Sequence, residues 1–269
     1  MNRLSLNQKT VNGLGLAQAV EVCARFGIGA IGVWREPLHE FGVERGVELV
    51  RGSGLRVSSL CRGGFFTRPD RAEVIADNRA AIDETAALGA ECLVLVVGGL
   101  PRGSRDLAGA RERVRSVLAE LAPYAADRGV LLALEPMHPI YCADRGVLST
   151  LGQALDLAEE HEPSVVGVVV DTFHVWWDPD LAAQVARARG RIASFQVCDW
   201  ITPLPADALL ARGVMGDGHV DFRAVADLVV AAGYGGDVEV EIFNAELWAS
   251  DADEAVALVR DRYDRHVGL

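Results

Sequence analysis

The chain is short of the features that mark several large protein classes. It has no excess of positive charge: 26 lysines and arginines stand against 38 aspartates and glutamates, a formal balance of −12. A protein that binds by neutralising phosphates needs the opposite sign, which argues against nucleic acid as a ligand. Cysteine is sparse and odd in number, at positions 23, 61, 92, 142 and 198 with no CxxC pair. That spacing fits neither a disulfide framework nor a zinc-finger cage, and a reducing compartment is the natural setting. No apolar run approaches the roughly 18 residues needed to cross a bilayer. The N-terminal MNRLSLNQKT lacks a basic patch followed by an apolar core, so a soluble, cytoplasmic protein with no membrane partner is expected. Linkers, low-complexity tracts and steps in composition are also missing. The 269 residues, half of them hydrophobic, therefore read as one domain spanning 1–269.

What is present is a regular alternation. Short runs rich in Val, Ile and Leu fall at Leu4–Leu6, Ile28–Trp34, Leu55–Leu60, Cys92–Val97, Val130–Leu134, Val165–Val170, Ile192–Val197 and Val238–Ile242. Runs such as LVLVV and VVGVVV are apolar at every position, the mark of parallel strands covered on both faces. The segments between them carry helix punctuation. Asp70 with Glu73, Thr150 with Gln153 and Asp251 with Glu254 have capping-box spacing, and Gly89 and Gly233 close two helices. RAAIDETAALGA and RAVADLVVAAG place apolar residues at helical period, so one stripe packs on a sheet while charges face water. Eight strands in strict alternation with helices predict an α/β fold of the (β/α)₈ TIM-barrel type, with an open doubly wound sheet as the less economical arrangement.

In such a barrel the chemistry sits at the C-terminal ends of the strands. Four consecutive apolar runs are broken there by polar residues: LALEP at Glu135, VVVDTFH at Asp171, SFQVCD at Gln196 and VEVEIF at Glu241. A single carboxylate at a strand end is ordinarily a helix cap or a salt-bridged rim group, but four neighbouring strands behaving alike point to one converging cluster. Three carboxylates brought together repel one another and raise their pKa values unless a cation sits among them. Carboxylate and amide oxygens suit Mn²⁺ or Mg²⁺, and Co²⁺, Ni²⁺ and Zn²⁺ remain compatible. Glu239 shares a face with Glu241 by the two-residue period and would replace it if the register were shifted.

Substrate-binding candidates surround these ligands. His174 follows Asp171 by three residues, His138 and Arg145 follow Glu135, and Arg62 follows the third strand. Each is suited to hydroxyl, carbonyl or carboxylate groups. Trp34 ends a strand where a stacking wall for a sugar-sized molecule would stand, although core packing is the default for tryptophan. Three carboxylates exceed a divalent charge by one, so a phosphorylated substrate is disfavoured unless Arg62, Arg145 or Arg212 compensates. MGDGHVDF reads as a flexible loop leading into the last helix at Asp221. It lacks the lysine of a phosphate-binding loop.

Taken together, LEP at Glu135, DTFH at Asp171 to His174, QVCD, GDGHVDF and VEVEIF resemble the xylose isomerase-like barrels grouped as sugar phosphate isomerases and epimerases, which include ketose 3-epimerases, hydroxypyruvate isomerase and inosose-processing enzymes. The resemblance spans essentially the whole chain. It implies that the residues matching Glu135, Asp171, Gln196 and Glu241 hold a metal ion, that Glu135 and Glu241 also move protons, and that His174 contacts substrate. By the same analogy a homodimer or homotetramer is expected. Two departures stand out from the ketose-epimerase branch: Gln196 where that branch commonly has histidine, and Tyr141 where it places a second glutamate. They leave the metal site intact and put ketohexose specificity in doubt.

The expected reaction is isomerisation or epimerisation of a small sugar-like hydroxy-carbonyl compound, one carboxylate removing the proton beside a metal-polarised carbonyl and the other returning one. Two rivals share these residues. A lyase or dehydratase would expel a leaving group from the same intermediate, and a non-catalytic sugar-binding barrel would keep the fold alone.

Overall fold

The computed structural model describes residues 3–269. All eight expected strands are present, in order, as β1 (Leu4–Asn7), β2 (Ala30–Trp34), β3 (Arg56–Gly64), β4 (Leu93–Val96), β5 (Leu132–Leu134), β6 (Val166–Asp171), β7 (Ile192–Val197) and β8 (Val238–Val240). Each pairs in parallel with the next, and β1 pairs with both β2 and β8, so the sheet closes into a barrel. Closure explains why the runs are apolar throughout: one face meets the outer helices and the other meets the barrel interior. Leu93, Leu95, Leu132, Leu134, Val168 and Val170 belong to the large outer core, whereas Val94, Ala133 and Val169 pack with Trp34 and Cys61 in a smaller inner cluster. The two-residue period then carries Ala133 to Glu135 and Val169 to Asp171 on the inner face.

Strand lengths differ from the apolar runs at the barrel mouth. β8 stops at Val240: the Glu241 amide still reaches the Val197 carbonyl, at a long 3.4 Å, and the Ile242 amide turns to the Thr10 hydroxyl at 3.0 Å. β3 instead continues to Gly64, beyond the run that ended at Leu60. Its pairing with β4 steps from Cys61 opposite Val94 to Gly63 opposite Leu95, which leaves Arg62 as an extra, bulged residue.

The helix signals hold with two corrections. Asp70 accepts from the Glu73 amide, Thr150 from Gln153 and Asp251 from Glu254. Gly89 caps its helix in the left-handed conformation at φ 67°. The side chain of Gln153, however, accepts from the amide of Ser149 rather than Thr150. The second correction concerns GDGHVDF. Asp221 caps the helix Phe222–Ala231, which precedes β8, and two further helices, Ala245–Ala249 and Ala252–His266, follow that strand. Nor is this loop free: the buried Asp199 carboxylate accepts from the amides of Gly216, Gly218 and Val220 at 2.8–3.0 Å. Between β7 and that loop, Asp199–Trp200 and Arg212–Gly213 form a short antiparallel ribbon over the mouth. Among the described residues all five cysteines are unpaired, and no helix is long and apolar enough to cross a membrane.

Candidate active site

The four strand-end residues are all buried. Glu135 follows β5, Asp171 ends β6, Gln196 lies in β7 and Glu241 follows β8, with exposures of 4 %, 1 %, 1 % and 3 %. Asp171 and Gln196 are direct partners across β6 and β7. Oxygens of Glu135 and Asp171 and a ring nitrogen of His174 lie within 4.8 Å of one another. His174, expected to touch substrate, is thus a member of the carboxylate cluster. Its Nε2 stands 3.7 Å from both Glu135 Oε1 and Asp171 Oδ2. Burial, reinforced by nearby Arg212, holds its pKa well below the usual histidine value, so the ring is neutral.

Arg212 joins Glu241 to this group. Carried inward by the ribbon, its Nη1 donates to Asp171 Oδ2 at 3.0 Å and to Glu241 Oε2 at 2.8 Å, and its Nη2 lies 3.2 Å from His174 Nε2. The guanidinium is flanked by the rings of Phe173 and Phe243 at 4.8 and 5.0 Å. The sequence pointed to Arg212 only as one of three arginines able to compensate the acids. Nothing periodic marks it, since its strand in the ribbon is only two residues long, and its one signal is an arginine within the long connection between two strands that bear ligands.

Desolvation sets the electrostatics. Burial pushes Glu135 well above the usual carboxylate range, with Glu241 and Asp171 adding to the effect and Arg212 opposing it. Asp171 is raised by burial against the pull of Arg212. Glu241 is pushed up to about 7 by burial, again with Arg212 opposing. Gln196 adds a second anomaly: neither its amide oxygen nor its nitrogen has a hydrogen-bond partner among the described residues. A buried amide left unpaired costs about 1–3 kcal/mol, and hard carboxylates beside an unpaired amide oxygen are a donor set that fits a divalent cation. The residues present therefore fit a divalent metal ion.

The register question at β8 has a geometric answer. Glu239 is fully buried one step deeper, and its oxygens are taken up by Asn7 Nδ2 at 2.6 Å and by the hydroxyls of Ser58 and Ser59 at 2.5 and 2.8 Å. Room for it exists because Gly32 faces it, where a Cβ would fall 2.5 Å from Oε1. Asn7 passes this contact on by accepting from Trp34 Nε1 at 2.8 Å.

Above the carboxylates lies a cavity of about 90 Å³ lined by Trp34, Arg62, Glu135, Arg145, Arg212 and Glu241, with Phe65, Met137 and Phe243 among its apolar walls. Trp34, Arg62 and Arg145 are thus brought together as expected, while His138 is not. Its ring packs on Trp200 and Trp177 at 4.5 and 5.6 Å, and it reaches the cluster through its backbone N–H, which donates to His174 Nδ1 at 3.1 Å. Tyr141 is buried beside His174, and its hydroxyl has no hydrogen-bond partner among the described residues.

The model of the xylose isomerase-like TIM barrel family matches residues 20–262. The chain belongs to this family. Within it, an L-ribulose 3-epimerase from Mesorhizobium japonicum is 26% identical over 226 residues, covering 81% of this chain and 71% of that one. Among solved structures, protein SMc04130 from Sinorhizobium meliloti 1021 has a TM-score of 0.95 at 47% identity, covering 98% of both chains. The IolI protein, solved with a bound zinc atom, has a TM-score of 0.85 at 22% identity over 98% of both chains, a likeness that speaks for the fold.

Proposed function

We propose that this xylose isomerase-like barrel is a divalent-metal-dependent isomerase or epimerase acting on a sugar-sized hydroxy-carbonyl compound. One observation carries the reading. Glu135 and Glu241, rooted three strands apart around the barrel, line a single cavity while their carboxyl groups are withdrawn from water. The metal would be held by Glu135, Asp171, Gln196 and Glu241, with His174 in reach of the first two. When bound, a divalent ion polarises the substrate carbonyl and acidifies the adjacent C–H.

The chain's own residues do the rest. One of the two glutamates removes the proton from that carbon, and the other delivers a proton to the opposite face, inverting the centre. Delivery to the neighbouring carbon instead interconverts aldose and ketose. Without a bound cation, burial raises both glutamates above the usual carboxylate range, and a divalent ion beside them would draw both back toward the ionised form that accepts a proton. Arg212 holds Glu241 and Asp171 in place, and Trp34 and Phe243 wall the reacting carbons from bulk water.

The test is a panel of free ketoses, aldoses, inososes and hydroxypyruvate with Mn²⁺ in D₂O, run on the wild type and on Glu135→Gln and Glu241→Gln. The wild type incorporates deuterium at the carbon beside the carbonyl without losing a group. Each variant keeps its fold and loses about 10²-fold or more in rate. Near-normal turnover in either variant removes that carboxylate from the mechanism, and release of water from the substrate makes the enzyme a lyase.

A further inference from the structure

The cavity has two zones. Its floor is the buried carboxylate cluster, and its outer wall carries Arg62 and Arg145, whose side chains are 27% and 32% exposed. Several arginines in this acid-rich chain are hydrogen-bonded to carboxylates, among them Arg35 to Glu84, Arg56 to Asp237 and Arg187 to Glu159. Arg62 and Arg145 have no side-chain hydrogen bond among the described residues. Their nearest acids, Glu36 and Asp144, stand off at 3.8 Å and are themselves more than half exposed. Each guanidinium therefore presents unclaimed N–H donors to the cavity, in the planar fork that matches carboxylate and phosphate oxygens.

Arg62 is also held in position. It is the bulged residue of β3, and its guanidinium lies over the rings of Trp34 and Phe65 at 5.3 and 4.8 Å. Phe65 adopts a left-handed φ of 54°, an unfavourable conformation for a bulky residue. It follows Gly64, where a Cβ would fall 2.0 Å from the Val96 carbonyl oxygen. Backbone strain spent at a cavity wall is a sign that the side chain's placement matters.

Charge completes the argument. Arg62, Arg145 and Arg212 offset the charge of Glu135, Asp171 and Glu241 around the cavity, and the acids nearest the outer pair, Glu36 and Asp144, are solvent-exposed and not hydrogen-bonded to them. The condition under which a phosphorylated substrate would be disfavoured, three acids without compensating arginines, does not hold here.

We infer that the substrate carries an anionic group, a carboxylate or a phosphate, and that Arg62 and Arg145 bind it at the outer end of the cavity. The inference rests on the proposed isomerase reading for which end of the substrate reacts, but its test does not depend on turnover. Mn²⁺-loaded protein is titrated calorimetrically with gluconate, sorbitol and sorbitol 6-phosphate, three probes sharing a six-carbon polyol chain and differing in the terminal group. At least one anion binds tighter than sorbitol by about tenfold or more, the scale of a charged hydrogen bond, and the stronger of the two identifies carboxylate or phosphate. In the Arg62→Gln/Arg145→Gln double variant, whose Mn²⁺ affinity and circular dichroism are unchanged, that preference disappears. Because gluconate can also chelate the metal, only the part of its preference that the double variant removes counts in favour. Equal binding of the three probes, no binding of either anion, or a preference that survives the double variant overturns the inference. Loss of turnover in Glu135→Gln with no anion preference would leave the isomerase standing and remove the anionic substrate. An intact preference with Glu135→Gln fully active would do the reverse.

Discussion

Replacing Arg212 by Met tests the electrostatics of the site most directly. The substitution keeps much of the side chain's length against Phe173 and Phe243 and removes the one cation that touches both Asp171 and Glu241. Breaking a buried ion pair costs about 3–5 kcal/mol because the partners are left charged and desolvated. The cost must depend on pH. Glu241 is already raised from 4.5 to about 7 with Arg212 pulling it down, and Asp171 is raised in the same sense. A carboxyl that binds its proton more tightly folded than unfolded makes stability fall as pH rises from the unfolded value toward the folded one. For Glu241 alone that fall, between pH 4.5 and about 7, is about 3 kcal/mol in the metal-free wild type. Removing the guanidinium raises both carboxyls further and extends the window upward, so the variant's deficit grows with pH. Urea unfolding of metal-free protein should show a loss of about 3–5 kcal/mol at pH 8 that shrinks to less than half at pH 5. An equal loss at both pH values, or less than about 1 kcal/mol at pH 8, would refute the reasoning.

Other expectations follow from the same geometry. Gln196→Leu removes a buried amide that has no partner, so metal-free protein should be as stable as the wild type or more so, by up to about 2 kcal/mol, while Mn²⁺ affinity drops; lower metal-free stability with unchanged affinity would assign Gln196 a purely structural role. Asp199→Ala strips the acceptor from the amides of Gly216, Gly218 and Val220. It should cost about 2 kcal/mol or more and speed hydrogen exchange at those amides, and unchanged exchange would show that the loop holds itself. Chelation should abolish turnover and Mn²⁺ restore it, whereas full activity in protein shown by elemental analysis to be metal-free would end the metal reading.

Much of this molecule was readable along the chain, for a definite reason. A strand enclosed on both faces needs apolar side chains at nearly every position, so LVLVV and VVGVVV announce buried parallel strands without reference to anything distant. A polar residue placed where such a run ends is conspicuous, and Glu135, Asp171, Gln196 and Glu241 stood out that way. Their burial in the folded chain follows from the inner-face period that puts Glu135 two residues beyond Ala133. The positions less well read lie outside periodic structure. His138 was expected to face substrate, yet its ring is drawn to Trp177 and Trp200 by packing that no local pattern encodes. Glu239 and Glu241 share a face, and only the arrival of Asn7, Ser58 and Ser59 from other strands separates the internally bonded one from the one at the mouth.

The sequence by itself determined the eight-strand alternation, the caps that start the helices, and the four polar strand ends, because each depends on residues within a few positions of one another. Tertiary structure alone decided the charge of the site. Arg212 meets Asp171 and Glu241, residues 41 and 29 positions away, on a ribbon beside the loop that Asp199 ties down. Arg62 faces the cavity only because β3 bulges against β4. Guanidinium groups on loops and bulges go where non-local contacts send them, so whether a pocket of acids is neutralised is settled by the folded chain.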